Sequence, residues 1–185
     1  MTYCVAMRLE EGLMFVSDSR TNAGLDHIAV FRKLHLFGIE GERVIVLQSS
    51  GNLATSQSVI TLLRERIQAE EEFNIHTVKT MYEAATLVGE TLREVLQNYK
   101  EQGMDFSCSL LLGGQILGEE PKLFNIYPQG NFIAATQDTP YFQIGVQGMF
   151  NQTNLIDDSV GYNPITYSYQ NTAQSSFGGM LNFAY

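Results

Sequence analysis

Met1-Thr2-Tyr3-Cys4-Val5-Ala6-Met7-Arg8-Leu9 opens the chain. It reads as a strand starting at residue 2, with Tyr3, Val5, Met7 and Leu9 on one side and Cys4, Ala6 and Arg8 on the other. Glu11-Gly12 is a turn signal and Leu13 to Ser17 a second apolar run, so residues 2–18 read as a hairpin. A hairpin that begins at Thr2 returns to its starting level near Asp18. Removal of Met1 would place a free amine and a hydroxyl on one residue, Thr2, a nucleophile carrying its own base.

Outward from the hairpin, Ser17 to Asn22 is polar, and a loop is expected to about Phe31. Lys33–Phe37 and Arg43–Gln48 form a second hairpin around Gly38-Ile39-Glu40-Gly41. Ser49-Ser50-Gly51-Asn52 is a sharp strand-to-helix turn, followed by Leu53, Val59, Ile60, Leu63 and Ile67 at helical spacing. A second helix is expected to open at His76-Thr77, carry Met81, Ala84, Ala85, Val88, Leu92, Val95 and Tyr99, and end at Gly103. Strands are expected at 106–112, 122–126, 132–135 and 141–144, with turns at Gly113-Gly114, Pro128-Gln129-Gly130 and Thr139-Pro140. The order strands, helix pair, strands predicts an α+β fold. Two antiparallel sheets lie face to face, and the helices cover one outer face.

At 185 residues, one domain spanning 1–185 is expected. Residues 146–185 form an atypical tail without Lys or Arg, rich in Asn, Gln, Ser, Thr, Tyr and Phe. Thr166-Tyr167-Ser168-Tyr169 hints at a strand there, and Gly178-Gly179 at a turn. Charged residues are only 17% of the chain, which suits a surface covered by neighbouring subunits. A net charge of −9 argues against nucleic acid as a partner and supplies no basic membrane patch. No apolar run approaches transmembrane length, and the N-terminus lacks a signal-peptide plan. Cys4 and Cys108 have neither metal-site nor disulfide spacing, and they read as small buried hydrophobes in a reduced cytoplasm.

The chemistry follows from Thr2. Its hydroxyl needs a base, and a terminal amine with an ordinary pKa of about 7.7–8.0 is suited to that work. Asp18 is expected beside it. A cation held by Asp18 would favour the neutral amine and the alkoxide. Lys33 can supply that cation, and so can Arg20 or Arg32, among which sequence does not choose. The turn around Gln48 and Gly51 can present backbone N–H groups to an oxyanion. His27, His35 and His76 are scattered and read as structural, Asp157-Asp158 as a loop acid pair, and no metal or cofactor site is expected.

Thr2, Ser17-Asp18-Ser19-Arg20-Thr21, Phe31-Arg32-Lys33-Leu34-His35 and Ser50-Gly51-Asn52-Leu53-Ala54-Thr55 together resemble a proteasome β-type subunit. More closely, they resemble the bacterial ancestral-β-subunit (Anbu) group. The resemblance covers residues 1 to about 145. It implies an N-terminal-nucleophile hydrolase fold, a four-layer αββα sandwich, and a ring or spiral homo-oligomer. It also implies a threonine peptidase acting on peptide or unfolded protein, with room for an ATPase partner that sequence does not identify. By the same resemblance Thr2 is nucleophile and base, Asp18 the acid and Lys33 the tuning lysine. Gln48 falls where the family supplies a glycine N–H to the oxyanion, and Val46 on the floor of an apolar substrate pocket. Val146 stands where the family has a serine. A non-catalytic ring with a vestigial site, or a small-amide hydrolase of the same fold, are the alternative readings.

Overall fold

A computed structural model describes residues 3–22, 28–30, 32–98, 106–145 and 181–182. The opening hairpin is β1 (Tyr3–Leu9) with β2 (Gly12–Ser17), in the register Val5 opposite Val16. β10 (Tyr141–Gly145) pairs on the far side of β1, and the short β11 (Leu181–Asn182) pairs with β2. This gives one antiparallel sheet in the order β10-β1-β2-β11. The second sheet is β5 (Leu34–Ile39), β6 (Arg43–Gly51), β7 (Cys108–Ile116), β8 (Lys122–Ile126) and β9 (Phe132–Ala134), in sequence order. Helices α1 (Leu53–Gln68) and α2 (Met81–Gln97) lie on its outer face.

β6 and β7 are buried on both faces, which is why they read as near-continuous apolar runs and not as alternations. One face carries Ile45, Leu47, Leu110, Leu112, Phe124 and Ile126 against Val59, Leu63, Val88 and Leu92 of the helices. The opposite face carries Val46, Leu111 and Leu123 against Cys4, Ala6, Phe15, Phe142 and Ile144 of the first sheet. Each Val, Leu, Ile or Phe side chain among them removed from water contributes about 1.5–3 kcal/mol, and the two cores lock the sandwich from both sides. Three layers of an αββα sandwich are thus seen. Helices covering the outer face of the first sheet are not among the described residues.

Several expectations needed revision. The segment read as a loop contains a two-stranded ribbon, β3 (Arg20–Asn22) with β4 (Ile28–Val30). Its pairing is local and short, so it leaves no apolar alternation to detect. Gly113 and Gly114 are not a turn but mid-strand residues of β7. A Cβ on Gly113 would meet Phe15 Cζ at 2.7 Å, and one on Gly114 would run into the Val44 carbonyl. The glycines serve close approach of neighbours, while the turn falls at Leu117-Gly118. α2 starts at Met81, later than His76-Thr77. Asn74 and Thr77 first close a side-chain-bonded turn, and Arg43 holds the Val78 carbonyl at 2.8 Å. Thr80 then caps the helix, accepting from the Glu83 N–H at 3.1 Å. The readings that involve Thr2, His27, Phe31, Tyr99, Gly103 and residues 146–180 lie outside the described residues.

Candidate active site

Antiparallel pairing carries the chain from Tyr3 out and back to Asp18, whose N–H donates to the Tyr3 carbonyl at 3.0 Å. The Asp18 carboxylate in turn accepts the Tyr3 N–H at 2.9 Å. That nitrogen belongs to the peptide bond joining Thr2 to Tyr3, so Asp18 is fastened directly beside residue 2. Lys33, at the entry to β5, donates from Nζ to both carboxylate oxygens, at 2.8 and 2.7 Å. Its side chain is only 5% exposed and that of Asp18 24%. Sequence left the cation open; the structure brings Lys33 to Asp18.

A buried ion pair is a poor source of stability, because desolvation offsets most of the attraction. What this pair does provide is a positive charge held at a fixed place on the carboxylate that binds the Tyr3 N–H. Cys4 is close by, with Sγ–H directed at the Ser49 carbonyl at 3.6 Å. Its thiol is pushed up to about 12, first by burial and then by the Asp18 charge, with Lys33 opposing. Burial likewise pushes Cys108 up to about 12. Both cysteines are free and buried, so neither offers a thiolate near neutral pH.

Ser49 donates its N–H to the Lys33 carbonyl at 3.0 Å, and Asn52 donates to the Ser107 carbonyl at 2.9 Å. Alternation along an antiparallel strand therefore turns the Gln48 and Ser50 N–H groups toward β7, inside the sheet. The Gly51 N–H turns to the opposite side, the side of Lys33. Gly51 has φ of 111°, and a Cβ there would stand 2.5 Å from the Ser107 carbonyl oxygen. Gly51→Ala is accordingly expected to lose at least about 2 kcal/mol of stability, read as a lower urea midpoint.

The other two positions lie elsewhere. Gln48 points its side chain between the sheets, where Nε2 donates to the Val16 carbonyl at 2.9 Å. Val46 is fully buried in the inter-sheet core, opposite Leu36 and Gly113. It lines a cavity of about 370 Å³ with Glu10, Glu11, Leu13, Phe15 and Val44, at the hairpin-turn end and not at the Asp18 end. Val46 lies three positions before Ser49, about 10 Å of strand, and its side chain faces the first sheet. It therefore does not adjoin the Asp18–Lys33 pair. Among the described residues, no three His, Cys, Asp or Glu side chains come together as metal ligands.

His35, two residues beyond Lys33, is held low at about 4 by burial first and then by Arg64 and Arg32. The unfolded chain, with an ordinary value of 6.5, therefore takes up this proton before the folded one does. The stabilising contribution is fully present above pH 6.5 and is lost as the pH falls toward 4. His35→Phe should flatten that part of a stability–pH curve measured by urea unfolding.

A sandwich of two antiparallel sheets with a helix pair outside, and a carboxylate–lysine pair at the start of its first strand, defines the class. The family model described as "Proteasome subunit" matches residues 2–161, and the chain belongs to that family. Its fold is the N-terminal-nucleophile hydrolase type. Among solved structures, it is 65% identical to Anbu (ancestral beta-subunit) from Yersinia bercovieri, with a TM-score of 0.73, over 77% of this chain and 60% of that one. The helical assembly of the Anbu complex from Pseudomonas aeruginosa is 56% identical, TM-score 0.73, with the same coverage of 77% and 60%. An Anbu (Gly-1) mutant from Hyphomicrobium sp. strain MC1 is 50% identical, TM-score 0.72, over 78% and 60%. The chain thus spans about 60% of the length of these structures. No curated protein matches. Among the described residues no helix is long and apolar enough to cross a membrane.

Proposed function

We propose that this chain is a threonine-type peptidase subunit in which Thr2, exposed by removal of Met1, is both nucleophile and base. The observation that carries the proposal is the Asp18 carboxylate, bound on one side by the Tyr3 N–H and on the other by Lys33. It ties a buried cation to the residue that follows Thr2.

In this reading the Thr2 amine takes the hydroxyl proton, directly or through one water, as Oγ attacks the carbonyl carbon of the scissile peptide. The ammonium of Lys33 favours the neutral amine before attack and the oxygen anion during it. The Gly51 N–H is the backbone donor offered to the developing oxyanion, a more suitable one than Gln48, whose N–H is turned into the sheet. The amine returns its proton to the leaving nitrogen, and the C–N bond breaks. An ester to Thr2 remains. Water, deprotonated by the same amine, then cleaves that ester and restores the hydroxyl. Peptide or unfolded protein is the substrate class, in the cytoplasm.

The subunits work as a ring or spiral homo-oligomer that encloses the sites, with an ATPase partner able to feed it. The Pseudomonas relative described as a helical assembly supports the oligomer. The test combines intact mass, light scattering and turnover of short fluorogenic peptides. Loss of Met1, an assembly larger than a monomer, and turnover are the expected results. Met1 retained throughout, with no turnover, would replace the peptidase by a non-catalytic scaffold. A stable monomer at working concentrations would remove the enclosed assembly.

A further inference from the structure

Gln48 is fully buried, yet it sits in the space between two apolar sheets. Its Nε2 donates to the Val16 carbonyl at 2.9 Å, while its Oε1 meets no donor among the described residues. The carbonyl can only accept, so it fixes which end of the amide faces it. A buried amide satisfied on one side is unfavourable relative to an apolar side chain of the same shape. The packing around it gives no reason for an amide here, since Val46 and Leu111 serve the neighbouring positions as plain hydrophobes.

Its place in the chain does give a reason. Gln48 precedes Ser49, whose N–H is bonded to the Lys33 carbonyl. Val16 lies two residues before Asp18 at the end of β2. The Gln48 side chain therefore spans the gap between the strand that carries Lys33's backbone partner and the strand that delivers Asp18. The Cys4 Sγ to Ser49 carbonyl contact crosses the sheets at the same end. We propose that Gln48 is a positioning residue, whose amide ties β6 to β2 and so holds Asp18 in reach of Lys33 and the Tyr3 N–H. This role rests on the peptidase reading for its effect on rate, but its effect on Asp18 can be read without any turnover.

The experiment uses the full assembly carrying Gln48→Met, which keeps length and apolar volume and removes the donor. Hydrogen exchange is followed at single residues, together with thermal melting and, where the wild type turns over a fluorogenic peptide, kcat and KM. Exchange at the Tyr3 and Asp18 amides should rise at least about tenfold, with melting unchanged and exchange at Leu47 and Leu112 unmoved. In an active enzyme kcat should fall about tenfold with KM within about twofold, since substrate contacts are untouched. Unchanged exchange at Tyr3 and Asp18 in a folded Gln48→Met overturns the proposal. So does faster exchange with unchanged kcat in an active enzyme. If the wild type shows no turnover, the peptidase reading fails by itself, and the exchange arm alone decides on Gln48. Should Gln48→Met not fold, Gln48→Asn, which draws the amide back by one methylene, is read in the same way. If neither folds, Gln48 serves the sandwich as a whole and the proposal falls.

Discussion

Lys33→Ala is expected to lower turnover of a short fluorogenic peptide by about 10²–10⁴-fold at neutral pH, the range for losing a group that sets a general base. The Lys33 side chain that binds Asp18 is 5% exposed, so solvent should screen its charge little in the proposed mechanism. Without it, the Thr2 amine should hold its proton to higher pH, and the alkoxide should lose its nearest cation. The loss should therefore be partly recovered as the pH is raised. The assembly should persist, because Asp18 is 24% exposed and retains both water and the Tyr3 N–H as partners. Lys33→Arg keeps the charge, but a planar fork cannot reproduce one nitrogen bound to both oxygens at 2.8 and 2.7 Å, so it should rescue poorly. Asp18→Asn should also reduce turnover by releasing Lys33. The double variant should cost little more than the worse single one, because the two groups act as a unit. Lys33→Ala turning over at the wild-type rate in an intact assembly would take the lysine out of the mechanism.

The place of Asp18 was legible because hairpin arithmetic is local: a strand out from Tyr3, a tight turn and a return of equal length end at one residue, although the turn falls at Glu10-Glu11 and not at Glu11-Gly12, with Gly12 already paired to Leu9. The choice of Lys33 over Arg20 and Arg32 was not legible. It depends on how two separate sheets stack, and no spacing along the chain encodes that. The same limit explains Val46 and Gln48. Their neighbours in sequence mark β6 as a strand, but which way each side chain and N–H faces is fixed by the Ser49–Lys33 pairing. Gly113-Gly114 misled for a different reason. Glycine pairs usually punctuate the chain, whereas here they let Phe15 and the β6 backbone come close. The helix pair was legible from its 3–4 repeat. The start of α2 was not, because Asn74 and Thr77 bond backbone groups in a turn that looks helical from composition alone. β11 was not anticipated either. Two residues carry too little pattern to mark a strand, and their pairing with Met14 and Phe15 comes from the far end of the chain.

Thr2→Ala should bring peptide turnover to background, at least about 10³-fold down, because it removes the attacking oxygen while leaving the amine. Thr2→Ser keeps both hydroxyl and amine and should retain turnover within about tenfold, since only a methyl that orients the hydroxyl is lost. A variant that keeps the Thr2 nitrogen in a peptide bond, such as one with a lysine inserted between Met1 and Thr2 so that the leader is not removed, should be as inactive as Thr2→Ala. There the hydroxyl survives but the amine is locked in a peptide bond and has no basic lone pair. These three together separate nucleophile from base, which a single substitution does not. A peptide boronate or aldehyde should add its mass to residue 2 of the wild type and of Thr2→Ser, located by fragmentation, and to neither of the other two. Melting temperature should be the same for Thr2→Ala and wild type. Asp18 is fastened through the Tyr3 N–H and Lys33, and neither bond uses the threonine side chain. Full turnover by Thr2→Ala would move the nucleophile to another residue. Label on residue 2 with Met1 still attached would show that the hydroxyl reacts without the amine, and the base would then have to be sought elsewhere.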